Sequence, residues 1–154
     1  MSETYDSLDK SLLTREAFDG YAMQLTQLKP DSLETLANLV AEDVCFSDPF
    51  NTVQGKASFI GVMAEMFEQL DDVRFDLFDS QIQGNVGYLY WRFSAVSSLT
   101  GRFSTEGCSR ICFNTALLVV KHQDFWDASL LMQQFPLLGR LIRIIRNRAA
   151  YKDR

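Results

Sequence analysis

A chain of 154 residues with 47% hydrophobic content and 12 phenylalanines is sized for one compact domain. It can bury a core without a metal or disulfide staple, and it is too apolar for disorder. Its net charge of −5 excludes general nucleic-acid binding, which needs a basic surface to neutralise phosphates.

Residues 1–13 read as a flexible N-terminal tail. From Thr14 a helical period begins, with Phe18, Tyr21, Ala22, Leu25 and Leu28 on one stripe, and Pro30 ends it. Asp31 then opens a second helix, with Glu34 as a capping-box partner and Leu33, Leu36, Ala37 and Val40 as its buried stripe. "VCF" at 44–46 suits a short strand, and "SDPFN" breaks it into a loop. After Gly55 a third helix sets Phe59, Val62, Met63, Met66, Phe67 and Leu70 on one face, the spacing of a core stripe.

Beyond Asp71 the period changes to two. Strands are expected at about 73–79, 86–97, 102–114 and 117–126, with "QGN" at 83–85 and "TG" at 100–101 as turns. "LLMQQFPLLGRLIRIIRNR" returns to helix, broken near Pro136 and Gly139, and Asp127 is placed to cap it. Helices segregated from an antiparallel sheet predict a single α+β domain over 14–148, with 149–154 as a C-terminal tail.

The three cysteines, Cys45, Cys108 and Cys112, are odd in number and lack metal-ligand spacing. Cys108 and Cys112 on one strand would stand about 13 Å apart, too far for a bridge. The acidic, polar start is unlike a signal peptide, and no apolar run approaches the ~20 residues of a spanning helix. A reducing, cytoplasmic setting is expected.

The chemistry concentrates in "HQDFWD", His122 to Asp127, which contains the only histidine. Alternation puts His122, Asp124 and Trp126 on one strand face, with Leu118 and Val120. If 114–116 form the reversal, Ser109 opposes His122, Gly107 opposes Asp124 and Thr105 opposes Trp126. Gly107 then leaves space beside the carboxylate. One histidine excludes a two-His-one-carboxylate iron site, and no further zinc ligands are evident. A Ser109–His122–Asp124 triad would lack a nucleophile elbow, and no Gly-rich phosphate loop is present. No metal or cofactor is expected. What remains is acid–base work in an apolar pocket, or a strand end whose polar groups merely bond each other. Carboxylates flanked by aromatic rings lose hydration, which suits them to proton transfer. Trp91 and Trp126 read as pocket or core aromatics.

The motifs "FDGYAMQL", "FSDPFNTVQG", "MFEQLDDVRFDLFD", "GYLYWRFSA" and "KHQDFWDASLLMQQFPLLGRLIRIIRNR" resemble the nuclear transport factor 2-like superfamily, and within it the SnoaL-like domains of bacteria. The resemblance implies a cystatin-like cone: a curved antiparallel sheet around N-terminal helices, a pocket at the wide end, a C-terminal helix, and in many members a homodimer. It also implies site positions. Tyr21 and Asp48 match the helix-one tyrosine and Asp-Pro aspartate of ketosteroid isomerase. Ser109, in "SRICFN", stands where the isomerase has its second acid, so that hydrogen-bonding pair is incomplete. Asp124 matches the last-strand acid of polyketide cyclases, and His122 resembles their histidine.

Two functions stay open. One is a cofactor-independent isomerase or cyclase acting on an apolar, carbonyl-containing molecule, with Asp124 or Asp48 as base and Tyr21 and His122 polarising or relaying. The other is a non-catalytic small-molecule-binding or dimeric accessory domain. Trp126, Ser109, Gly107 and Trp91 are the expected pocket lining. On the terminal helix Leu138, Leu141, Ile142 and Ile145 gather opposite Arg140, Arg143 and Arg146. Its own sheet, or partly a dimer mate, is the expected cover. Membrane contact is not expected, because the rest of the chain is acidic and the helix short.

Overall fold

The computed structural model describes residues 2–151, and side chains from residue 12 onward. Helix α1 spans Ser2–Thr26. After a 3₁₀ turn at Pro30–Ser32 come α2 (Leu33–Ala37), β1 (Val40–Ser47), β2 (Thr52–Gln54) and α3 (Lys56–Gln69). Four strands follow, β3 (Leu70–Gln83), β4 (Val86–Ser97), β5 (Gly101–Phe113) and β6 (Val119–Trp126), then α4 (Ala128–Met132) and α5 (Pro136–Ala149). The sheet order is β2-β1-β6-β5-β4-β3. Neighbours are antiparallel except β1 and β6, which run parallel. This is the α+β architecture the pattern predicted, an open curved sheet with N-terminal helices and a C-terminal helix.

Three differences from the sequence expectation have local causes. The first helix begins at Ser2 rather than Thr14, so residues 2–13 continue its backbone. No proline or glycine precedes Gly20 to interrupt it, although the apolar period is missing there. The second helix is only five residues long. Ser32 Oγ accepts from Lys29 N–H at 2.9 Å in place of an Asp31–Glu34 box, and Val40 already belongs to β1. Strand β2 has too few residues to show a period. The end of the expected C-terminal tail, 152–154, lies outside the described residues.

Phe18, Tyr21, Ala22 and Leu25 of α1 and Phe59 and Met63 of α3 are buried with Leu36, Val44, Phe46, Leu89, Ile111 and Phe113 in one core. Gly87 of β4 permits that approach. A Cβ there would stand 2.3 Å from the Phe18 ring, so only glycine lets α1 lie so close to the sheet. At the tips, Gly84 (φ 59°) and Gly101 (φ 78°) adopt the left-handed backbone that the β3–β4 and β4–β5 turns require.

The β5–β6 register differs from expectation by two residues. Ile111 opposes His122, Ser109 opposes Asp124, and Gly107 opposes Trp126. The connection is longer than a three-residue reversal. Asn114 Oδ1 accepts from the backbone N–H groups of Ala116 and Leu118, both at 3.0 Å, and Leu117 takes φ 62°. An even slip leaves every side chain of β5 on its expected face. The start of β6 does change faces. Phe113 pairs with Val119 and Cys112 with Lys121, leaving Val120 as an extra residue. Val119, not Val120, is therefore buried on the same side as His122.

The terminal helix does not use the sheet as cover. Its contacts are chiefly with α4. Gly139 is buried there against the Gln133 backbone, where a Cβ would stand 2.0 Å from the carbonyl oxygen. Leu137, Leu138, Leu141, Ile144 and Ile145 are left exposed.

Candidate functional site

The concave face of the sheet and the inner sides of α1 and α3 enclose a cavity of about 860 Å³. Phe46, Met63, Phe75, Trp91, Phe93 and Trp126 form much of its wall, and Leu131 and Phe135 reach it from the C-terminal segment. Asp48, Asn51, Glu65, Glu68, His122 and Asp124 also line it, whereas no lysine or arginine does among the described residues.

His122 and Asp124 alternate onto this wall because β6 is regular beyond its bulge. His122 is 2% exposed. Its ring packs against Tyr21, Phe46 and Phe59, with centroids 5.7, 5.4 and 6.0 Å away. Its two nitrogens are both engaged: Tyr21 Oη lies 2.7 Å from Nδ1, and Asp124 Oδ1 lies 2.8 Å from Nε2. Ser109 Oγ–H donates to the same Oδ1 at 2.5 Å, and Trp91 Nε1–H donates to Ser109 Oγ at 2.8 Å.

The direction of each bond follows from counting protons. Burial, and then the negative charge of Asp124, push the Tyr21 phenol well above its ordinary pKa, so it keeps its hydrogen. Among the described residues its one hydrogen-bond partner is His122 Nδ1, which must then accept. The imidazole carries its hydrogen on Nε2 and donates to Asp124. The donors then run from Tyr21 to His122 to Asp124 on one side and from Trp91 to Ser109 to Asp124 on the other. Both donors use Oδ1, and Asp124 Oδ2 accepts from none of the described residues. The Asp124 side chain is 17% exposed and lines the cavity. An anchored carboxylate with one oxygen left without a donor, on a side chain that lines the cavity, is equipped to take a proton from a bound molecule.

The expected site residues separate into three groups. Asp124, His122, Asp48, Trp91 and Trp126 line the cavity. Tyr21 and Ser109, both fully buried, stand behind the wall and act on it through His122 and Asp124. Gly107 leaves no space beside Asp124. It opposes Trp126, and a Cβ there would lie 2.4 Å from the Trp91 ring and 2.8 Å from Phe125 O, so the indole fills the room the glycine provides.

Asp48 is spent on its own turn. Oδ1 accepts from the backbone N–H of Phe50 at 2.7 Å and of Asn51 at 2.6 Å, and Asn51 Nδ2 contacts both oxygens at 3.1 Å. A Ser109–His122–Asp124 triad is not formed, because the carboxylate sits between serine and histidine and Ser109 Oγ bonds Asp124 rather than an imidazole nitrogen. Thr105, Leu131 and Phe135 were not singled out as lining. Inward alternation with Ser109 is the signal that marks Thr105, whereas α4 carries no comparable sign.

The SnoaL-like domain model matches residues 23–121. No curated protein is significantly similar to the chain. Among solved structures, an NTF2-like protein from Burkholderia thailandensis E264 is similar at TM-score 0.69 and 16% identity, over 79% of this chain and 95% of that one. A protein of ketosteroid isomerase-like fold from Catenulispora acidiphila DSM 44928, in complex with trimethylamine, is similar at TM-score 0.67 and 17% identity, over 79% and 94%. A candidate SnoaL-like polyketide cyclase from Shewanella denitrificans OS-217 is similar at TM-score 0.67 and 15% identity, over 79% and 96%. At such identities these likenesses concern the fold.

Proposed function

The chain belongs to the SnoaL-like domain family, and from that premise we propose that it is a cofactor-independent proton-transfer catalyst of isomerase or cyclase type. The substrate class is an apolar molecule with an acidic C–H beside a carbonyl. The observation that carries this reading is the anchoring of Asp124, with two donors on Oδ1 and none on Oδ2. Asp124 is the base, and its free oxygen removes the proton. His122 and Ser109 hold the carboxylate in place, while Tyr21 and Trp91 hold them in turn. A cavity of about 860 Å³ falls in the range of small-molecule sites. The absence of lysine and arginine from its described lining favours a neutral ligand over an anionic one.

The test is proton exchange at the α-carbon of an apolar ketone, 2-tetralone, in deuterated buffer followed by NMR. The protein should accelerate exchange above the buffer rate. Asp124→Asn should remove the acceleration by a factor of at least about 10² while the ketone still binds. Exchange equal in both proteins eliminates Asp124 as the base.

A second reading has its own support. Among the described residues the same cavity has no lysine or arginine to steady a developing oxyanion, which suits binding without turnover. Saturable binding of the ketone with no exchange above buffer would favour it. In either case a homodimer is part of the proposal: Phe78, Tyr88, Tyr90 and Phe125 are exposed on the outer face of the sheet, where a second copy would cover them. Light scattering reads the mass directly.

A further inference from the structure

Against the expectation drawn from the acidic net charge, we propose that α5 docks this protein on an anionic lipid surface, lying in the plane of the headgroups. The inference stands on the geometry of α5 and is independent of any catalysis in the cavity.

Two contacts fix the rotation of the helix. Gly139 meets the backbone of Gln133, and one turn pair later Arg146 Nη1 bonds Asp127 Oδ2 and Ser129 Oγ. Gly139, Ile142 and Arg146 therefore form the side turned toward α4. The apolar stripe is forced outward. Leu137 is 88% exposed, Leu141 55% and Ile145 57%. These are leucines and isoleucines in one contiguous row, not scattered surface residues.

Charge identifies the occupant. α5 carries Arg140, Arg143, Arg146 and Arg148 and no acid, in a chain whose net charge is −5. Arg146 is already paired with Asp127, which leaves Arg140 flanking the apolar stripe, Arg148 at its end and Arg143 behind it, and the complement of that pattern is an apolar phase with an anionic rim. A second copy pairing through α5 would bring arginine to arginine. Arg148 also falls at the C-terminal end of the stripe, where a dry protein contact would bury its charge but a lipid surface lets it reach a phosphate. The helix, 14 residues or about 21 Å long, is too short for a hydrocarbon core of about 30 Å, so it lies flat rather than spanning.

Position gives the docking a consequence. Leu131 and Phe135 line the cavity, and Pro136 begins α5. Part of the cavity wall is therefore built from the segment that leads directly into the docking helix.

The test is co-sedimentation of the full chain with vesicles of phosphatidylcholine alone or mixed with phosphatidylglycerol, at low and high salt. The protein should pellet with the anionic vesicles, stay in solution with the neutral ones, and release at high salt. Arg140→Gln with Arg143→Gln should lower partitioning about thirtyfold, from the two surface charges removed. Leu141→Glu with Ile145→Glu should abolish it, while an unchanged urea midpoint shows the domain intact. Wild-type protein that ignores anionic vesicles overturns the proposal, as does equal pelleting of all variants. If the glutamate variant instead halves the mass seen by light scattering, and the wild type does not bind vesicles, α5 is a self-association surface and the proposal fails. Ketone exchange measured without vesicles reports on the cavity separately.

Discussion

Two carboxylates on adjacent strands, Glu106 on β5 and Asp124 on β6, have nearly the same company on opposite faces of the sheet. Outside, the Tyr90 hydroxyl donates to Glu106 Oε2, and Arg92 Nη2 lies 2.7 Å from Oε1. Arg92 also sits over the Phe78 ring at 5.0 Å. Inside, Asp124 is held by His122 and Ser109, with Tyr21 behind. The Tyr90 hydrogen bond, and then Arg92, hold Glu106 below the ordinary carboxylate range, while that same bond pushes Tyr90 up. Yet any outer group that loses its partner finds water at once. An inner group that loses its partner finds nothing, because the rings of Phe46, Phe59 and Trp91 occupy the surroundings. Similar chemistry is thus structural on one face and marginal on the other.

That contrast can be broken most severely at Gly107. Gly107→Ala should cost about 3 kcal/mol in a urea titration, since the new methyl displaces Trp91 and meets the Phe125 backbone. Ser109→Ala should cost about 2 kcal/mol, because it orphans the buried Trp91 N–H and removes one donor from Asp124. Tyr21→Phe should cost about 1–2 kcal/mol by leaving His122 Nδ1 without a donor. It should also shift the histidine from a single Nε2–H tautomer to a mixture, readable in ¹⁵N spectra. A wild-type Nδ1–H tautomer would reverse the proton order derived above.

Smaller effects are expected outside. Asp127 is held below its ordinary value of 3.8 chiefly by the Ser129 hydroxyl and then by Arg146. Its contribution is present at pH above that value and is lost as pH falls through the lower folded one. Proteolysis within α5 should therefore rise below about pH 4, and Asp127→Asn should make it independent of pH over that range. The smallest change should be Glu106→Gln, whose urea midpoint should match the wild type. A loss there as large as that of Ser109→Ala would end the distinction between the faces.

Much of the fold was legible because its signals are local. The stripe Phe18, Tyr21, Ala22, Leu25 is buried as its spacing requires. The alternation of β4 and β5 is regular along most of their length. Asp127 caps α4, accepting from Ser129 N–H at 3.0 Å. The site was legible in its members and not in its wiring. Asp124, His122, Tyr21, Ser109 and Trp91 could each be marked, but nothing in the sequence links Tyr21 to His122 across 101 positions.

What the sequence determined alone was periodicity, since the pattern of apolar residues decides which elements form and, except for α5 and the start of β6, which face each one buries. What only the tertiary structure decided was how those faces meet. A left-handed Leu117 and an Asn114-capped loop moved the β5–β6 register by two, and the Val120 bulge exchanged Val119 for its neighbour. Gly139 against Gln133 turned the apolar stripe of α5 outward instead of onto the sheet. Each outcome depends on contacts between residues distant in sequence or on a single backbone angle, and neither leaves a period to be read.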